Sequence, residues 1–535
     1  MAGGAPALAA LPARGAAVGL PPAVIPAPFG VNIHFTRTTA AEWKLLAESG
    51  FRIARTDLTW TAVQPGTAPP NFQSSGYDSL VRHLLALHIR PMLILDYCNP
   101  AFPSLATVPG RAAFARFAAA AARHFRGDHV IWEIWNEPDG GFWSCTGQPA
   151  PAGAGAYTAL AAAASAAIHR ANPAALVVGP AAARFDMAWF ARLAQDGLLR
   201  DIQGFSVHGY GANTPEEAVP EWQALHAFLA AHPVDGRTLP MISGEWGFET
   251  YQHPPAGWCC TYGVQADYLV RMMLDNLKAG VAYSIWYDFR DCSAPDAPAG
   301  QCHYGVVTQT LQPKPSFTAM RVLTQTFAGQ RYVASADVAA CGAGEQAIRL
   351  DQGGEAFWST GPSGRSGRFY VGSGRVTLVS QDGVRRQVTA PGGVLTTTYH
   401  RAVTYVLGAG SVLPPPPPAQ PAVMDSLTAL LSYFYAHSVS GNLNALGGAA
   451  LAVGTGGEAV LIWPPLCGVS AYRLYRSPAK GPAHWALLTT TRAAHWYGRL
   501  PSGRWRLAVA AVGPSGGSGP RSTAATVTVP RAAGS

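Results

Sequence analysis

The sequence predicts an α/β fold: a (β/α)8 barrel, then a β-sandwich, then a second, C-terminal β-sandwich. Three observations carry this reading. Across 29–325, short apolar runs alternate with amphipathic helical patterns eight times. After Phe327 the helical period gives way to short alternating runs between Gly-rich turns. A proline tract, LPPPPPAQP at 413–421, then separates this stretch from another β-rich one.

The strand candidates are FGVNIHF (from Phe29), FRIART (Phe51), PMLILDY (Pro91), VIWEIWNE (Val130), ALVVGP (Ala175), IQGFSVHGY (Ile202), PMISGEW (Pro240) and AYSIWYDF (Ala282). Between them lie helical patterns such as AAEWKLLAES, YDSLVRHLLALH, RAAFARFAAAAARHF and QADYLVRMMLDNLKA. Continuous apolar runs suit parallel strands buried on both faces. Eight β–α units in about 300 residues is the size of a TIM barrel. A doubly wound open sheet is the alternative, disfavoured because no Gly-rich phosphate loop follows the first strand.

The expected organisation is a leader or extended segment at 1–28, the barrel at 29–327 and a β-sandwich at 328–412. A Pro-rich linker with a short helix (424–437) occupies 413–446, and an all-β module occupies 447–535. A chain of 535 residues is too long for one core. With 48% apolar and 13% charged residues it is globular rather than disordered. Residues 455–535 hold nine of the Lys and Arg and a single acid, Glu458, so the +8 net charge belongs to the tail. That basic face is either a solubilising surface or an attraction to acidic glycans or an anionic envelope.

Eight cysteines, Cys98, Cys145, Cys259, Cys260, Cys292, Cys302, Cys341 and Cys467, fall in no C-x-x-C metal pair. An even number scattered through loops predicts disulfides and a secreted or periplasmic protein, with Cys292–Cys302 the best candidate pair. The first 23 residues are rich in small apolar residues but lack a basic start. They read as a degraded, truncated or mis-started signal peptide, or a loose mature terminus. No later stretch has 18 uninterrupted apolar residues, so no transmembrane helix is expected. No zinc, haem or nucleotide motif appears; no cofactor, metal or nucleic-acid partner is predicted, and a monomer is expected.

Two acidic motifs stand at strand ends. The fourth run ends in Trp135-Asn136-Glu137-Pro138 and the seventh in Ser243-Gly244-Glu245-Trp246-Gly247. Barrel active sites sit at the carboxyl ends of strands. Glycosidic cleavage needs two carboxyls flanking one bond, the first protonating the leaving oxygen and the second ionised. Glu133 shares the parity of Glu137 and reads as a buried acid one layer deeper. Glu249 is the rival nucleophile, in a loop that fixes its geometry poorly. Phe142, Trp143, Trp246 and Trp258 stand in rim segments where rings could stack on sugars; ordinary packing is the plainer account of each.

These motifs resemble clan A of the retaining glycoside hydrolases. The runs FRIARTDLTWTAVQPG, LILDY, WEIWNEPDG and SGEWG are most similar to glycoside hydrolase family 39, which holds β-xylosidases, α-L-iduronidases and related bacterial exopolysaccharide hydrolases. Family 5 cellulases share the two glutamates and are the nearest alternative. The resemblance covers 29–325 and extends to the sandwich ending at 412. It implies a polysaccharide or oligosaccharide substrate, Glu137 as general acid/base and Glu245 as nucleophile. It also implies that Asn136 bonds the sugar 2-hydroxyl and that Arg55 keeps Glu245 ionised. His208 and Tyr210 would orient the carboxylates, and Trp286 would form a stacking floor. The runs AVLIWPP, SAYRLYRS, HWALLTT and GRWRLAVAAVGPSGGSGP resemble a fibronectin type III domain, with Trp463 and Tyr472/Tyr475 as core aromatics. A catalytically silent glycan-binding protein and a cell-surface scaffold are the competing functions.

Overall fold

A computed structural model of the chain describes residues 19–143, 145, 153–250, 260–294, 302–332, 344–361, 364–371, 374–390, 394–409, 444–446, 449–453, 458–463, 471–492, 495–512, 518, 521–522 and 524–529. The proline tract, the expected 424–437 helix and Trp258 lie outside the described residues. The chain divides into two compact units near Gly329/Gln330.

The first unit is the barrel. Strands β1 (Phe29–Asn32), β2 (Ile53–Thr59), β3 (Arg90–Asp96), β4 (Ile131–Ile134), β5 (Leu176–Ala182), β6 (Gly204–His208), β7 (Met241–Trp246) and β8 (Val281–Trp286) pair in chain order. β8 closes onto β1, and that pair is parallel like the rest. Each strand overlaps one of the eight predicted runs, with ends that agree to within three residues. Ile53, Met92, Ile131, Leu176, Val178, Ile242, Tyr283 and Ile285 form one packed interior cluster. Each such side chain contributes about 1.5–3 kcal/mol on burial. This apolar plug fills the barrel below the polar residues that end the strands.

The surrounding helices start where the sequence supplies side-chain caps. Thr107 accepts from Gly110 N–H at the start of Val108–His124, Asp186 from Trp189 N–H at Met187–Gln195, and Thr261 from Val264 N–H at Tyr262–Lys278. Each satisfies a backbone donor that the first helical turn leaves open.

The second unit is antiparallel. β9 (Glu345–Arg349), β10 (Glu355–Ser359), β11 (Arg365–Tyr370), β12 (Arg375–Ser380), β13 (Arg385–Thr389), β14 (Val394–Tyr399) and β15 (Thr404–Leu407) form a five-stranded sheet, β13-β12-β15-β10-β9, and the pair β11-β14. Phe357, Val376, Leu378, Leu395, Tyr399 and Val406 pack in its core. Further on, β16 (Asn444–Leu446), β17 (Ala449–Val453), β18 (Glu458–Ile462), β19 (Ala471–Pro478), β20 (Ala486–Thr491), β21 (His495–Arg499), β22 (Gly503–Val512) and β23 (Ala525–Val529) form sheets ordered β16-β17-β18-β21 and β20-β19-β22-β23. Trp463 and Tyr472 meet edge-on at 5.4 Å in the core there. No helix among the described residues is long and apolar enough to cross a membrane.

Candidate active site

Arg55 organises the floor above the apolar plug. Its side chain is buried, and its donors face five partners. Nε donates to Glu133 Oε2 at 2.6 Å, and Nη1 to Glu245 Oε2 at 2.7 Å and to Asn32 Oδ1 at 3.2 Å. Nη2 donates to Asn136 Oδ1 at 2.8 Å and faces His208 Nε2 at 3.3 Å. Burial works against the guanidinium charge, but Glu133 and Glu245 outweigh it and push its pKa upward. Ser206 Oγ donates to the other oxygen of Glu133 at 2.6 Å. Glu133 is thus a fully buried acid with a donor on each oxygen, one layer below the cavity.

Strict alternation would not bring Asn136, Glu137 and Glu245 inward together. At the end of β4, Trp135 and Glu137 both take left-handed backbone angles, φ 67° and 46°. These are uncommon for residues with a side chain, and such strain clusters at functional sites. The turn sends Trp135 away to pack on Phe114 and Trp143. It leaves Asn136 and Glu137 facing the cavity. At the end of β7 the register against β8 slips between Ser243 and Trp246, and that against β6 between Val207 and His208. A bulge re-aims the side chains beyond it, and Glu245 turns inward while Trp246 is buried. Gly244 is required just before Glu245: a Cβ there would stand 2.2 Å from Ser206 Oγ.

Glu137 and Glu245 meet different partners. Tyr210 donates its hydroxyl to Glu245 Oε1 at 2.9 Å, so Arg55 and Tyr210 hold one oxygen each. His208 Nδ1 lies 2.8 Å from Glu137 Oε1. Burial pushes the His208 imidazole down to about 4, so it is neutral at ordinary pH. A guanidinium can only donate, so Nε2 facing Arg55 must accept. The single proton is therefore on Nδ1 and is donated to Glu137. Burial also raises the Glu137 carboxyl, opposed by the charges of Arg55 and Arg184. One oxygen of Glu137 and one of Glu245 lie within 4.8 Å of each other.

The two glutamates line a cavity of about 550 Å³, with Asn32, His34, Asp57, Tyr97, Arg184, Tyr287 and Tyr304 among its walls. No family model and no curated protein sequence matches the chain. Solved structures do. A family 39 glycoside hydrolase from the gut symbiont Bacteroides cellulosilyticus WH2 is similar at a TM-score of 0.60 and 20% identity, over 71% of this chain and 80% of that one. A monomeric β-xylosidase from Caulobacter crescentus CB15 gives 0.52 at 18% identity, over 72% and 97%. A family 39 enzyme from Xanthomonas axonopodis pv. citri gives 0.52 at 17%, over 72% and 95%. The fold is that of the family 39 glycoside hydrolases. Since one barrel fold hosts many chemistries, function rests on the site itself.

Arg55, Asn136, Glu137, His208, Tyr210 and Glu245 come together in this network, but Trp286 does not join them. It is fully buried, donates its indole N–H to Tyr304 O at 3.2 Å, and is absent from the cavity wall. Tyr283 and Ile285 point into the barrel, so Ser284 and Trp286 point outward by alternation. Asn276 of the helix Tyr262–Lys278 donates to Ser284 and marks that outer face. Tyr287, one residue on, lines the cavity instead. Trp143 and Trp246 are likewise packing residues, while Phe142, 49% exposed, lines the cavity. Glu249 accepts from Cys302 N–H and does not reach the cavity.

Several wall residues escaped the sequence reading. Asp57 lies two residues after Arg55 and His34 two after Asn32, so alternation from a known inward residue would have found both. Asp57 also acts on Asp96, a fully buried acid at the end of β3. Burial, then the charge of Asp57, raises the Asp96 carboxyl well above its usual range. Tyr304 and Arg184 stand on loops, where no period points to them. Glu137, His208 and Glu245 have donor atoms close enough to surround a cation. Arg55 already brings a positive charge against Glu245 and His208, which opposes a metal there.

Proposed function

We propose that the chain is a retaining glycoside hydrolase that cleaves an oligosaccharide or polysaccharide by double displacement. Bacterial exopolysaccharide is among the candidate substrates. One observation carries the reading: two carboxylates meet in one cavity, with an oxygen of each within 4.8 Å of the other. Retaining enzymes keep their carboxyls about 5–5.5 Å apart, and inverting ones about 6.5–9.5 Å to admit a water. Glu245, fixed by two donors, suits the nucleophile. Glu137 suits the acid/base, because burial favours its protonated form. With Oε1 taken by His208 N–H, the acid proton belongs on Oε2. Asn136, oriented by Arg55, remains the candidate for the sugar 2-hydroxyl. The product anomer, read by NMR within the first turnovers, tests the proposal: retention supports it, and inversion removes it.

Disulfides fit an extracellular address. Cys98 pairs with Cys145 and Cys292 with Cys302, as expected for the latter, and Cys260 is also bonded. We assign 29–327 to catalysis, 328–412 to a supporting sandwich and 447–535 to a fibronectin type III-like module that binds an acidic glycan or envelope. Deleting 447–535 should weaken binding to an acidic polymer and remove its salt dependence. Equal binding by both chains would leave the basic face as a solubilising surface.

A further inference from the structure

We infer that the cavity accepts a glycan whose leaving portion carries an anionic group, a carboxylate or a sulfate, held by Arg184. The inference rests on the hydrolase reading and names the substrate class of the same cavity. Arg184 stands two residues beyond β5, is exposed and lines the cavity. Arg55 has its donors matched by Glu133, Glu245, Asn32 and Asn136. Arg184 makes no hydrogen bond or ion pair among the described residues. Its fork of donors matches the paired oxygens of a carboxylate or sulfate.

Its position selects the leaving side. The charge of Arg184 acts on Glu137 and on Asp139, both in the loop after β4. Glu137 is the group that protonates the departing oxygen, so a cation beside it faces the departing sugar. Phe142, from the same loop and half exposed, offers that sugar an apolar ring face.

The arrangement couples binding to acidity. The groups facing Glu137 are Arg55 from β2, His208 from β6, Glu245 from β7, Arg184 beyond β5 and Asp139 on its own loop. His208 is neutral above about pH 4. The charge of Arg55 is matched by Glu133 and Glu245. Arg184 makes no ion pair among the described residues; its charge acts on Asp139 as well as on Glu137, whose carboxyl it lowers. A bound anion cancels that charge. Glu137 then holds its proton to higher pH in the complex than in the free protein.

Two measurements test this. In titration calorimetry at low salt, D-glucuronate should bind the wild type about ten-fold more tightly than D-glucose, the scale of one charged hydrogen-bonded contact. Arg184→Gln should erase the difference and Arg184→Lys should keep part of it. D-glucose 6-sulfate, run alongside, shows which anion is preferred. Equal binding of glucose, glucuronate and glucose 6-sulfate by the wild type overturns the inference. The second measurement uses 4-nitrophenyl and 3-carboxy-4-nitrophenyl glycosides of whichever sugar the wild type cleaves. The charged-to-neutral ratio of kcat/KM should fall toward one in Arg184→Gln. The basic limb of kcat/KM should move to higher pH, because removing a cation raises a nearby acid. An unmoved ratio and limb overturn the inference. Should no glycoside be cleaved while glucuronate or glucose 6-sulfate binds through Arg184, the hydrolase reading fails and the anion site stands.

Discussion

The carboxyl ends of β4 and β7 each deliver a glutamate to one cavity, by different backbone devices and into different surroundings. β4 uses two left-handed residues, Trp135 and Glu137. β7 uses a register slip with Gly244 at its centre. Glu245 is 9% exposed, with Arg55 and Tyr210 each holding an oxygen. Glu137 is half-buried and accepts from a neutral imidazole. The difference teaches how one residue type can take two roles. Donors on both oxygens fix an orientation, which a nucleophile needs. Burial with little charge compensation leaves a carboxyl able to hold a proton, which an acid needs.

The largest effect should come from exchanging these roles for nothing. Glu245→Ala should lower turnover of every substrate by roughly 10⁴-fold or more, as loss of a nucleophile does. Glu137→Ala should spare the first step on an aryl glycoside with a good leaving group and accumulate the glycosyl-enzyme. Azide should then rescue Glu137→Ala with retained configuration, and enter the vacated site of Glu245→Ala with the opposite anomer. NMR of the azide products checks the assignment; swapped anomers would reverse the two roles.

The next effect probes the floor that the two ends share. Arg55→Ala leaves Glu133 buried without its counter-charge. Breaking a buried ion pair on one side costs about 3–5 kcal/mol. The urea midpoint should fall accordingly, and turnover should fall with it. A midpoint within experimental error of wild type would mean that the floor relaxes freely and that the comparison has no rigid base.

The smallest of the three concerns pH. His208 has a folded pKa of about 4 against an ordinary 6.5. At this site the unfolded chain therefore binds more protons between those values, and the His208 contribution to stability falls as pH drops from about 6.5 to about 4. The loss should reach about 3 kcal/mol below that window. Urea unfolding across that range, compared between wild type and His208→Asn, should show the wild type losing stability relative to the variant as pH falls. An equal slope in the variant would show that His208 is not the neutral donor beside Glu137.

Much of this was legible in the residues. Eight apolar runs at regular spacing located every barrel strand, because a parallel strand buried on both faces must be apolar along its length. The Asn136-Glu137 and Glu245 motifs were legible because barrel chemistry concentrates at strand ends. Trp286 ends a strand yet faces away from the cavity. Standing at a strand end says that a residue is near the rim, and only parity, set here by Tyr283 and Ile285, says which way it faces.

The sequence by itself determined the order of strands, the two acidic strand ends and the buried place of Glu133. Those depend on local apolar period and on alternation, which act over a few residues. The tertiary structure alone decided that Arg55 bridges Glu133, Asn136 and Glu245, and that His208 serves Glu137 while Tyr210 serves Glu245. It also decided that Tyr287 replaces Trp286 on the wall and that Arg184 stands unpaired beside the acid. Each of these joins residues from different strands or loops. Left-handed turns, bulges and loop paths set them, and barrel closure fixes their distances where no sequence period reaches.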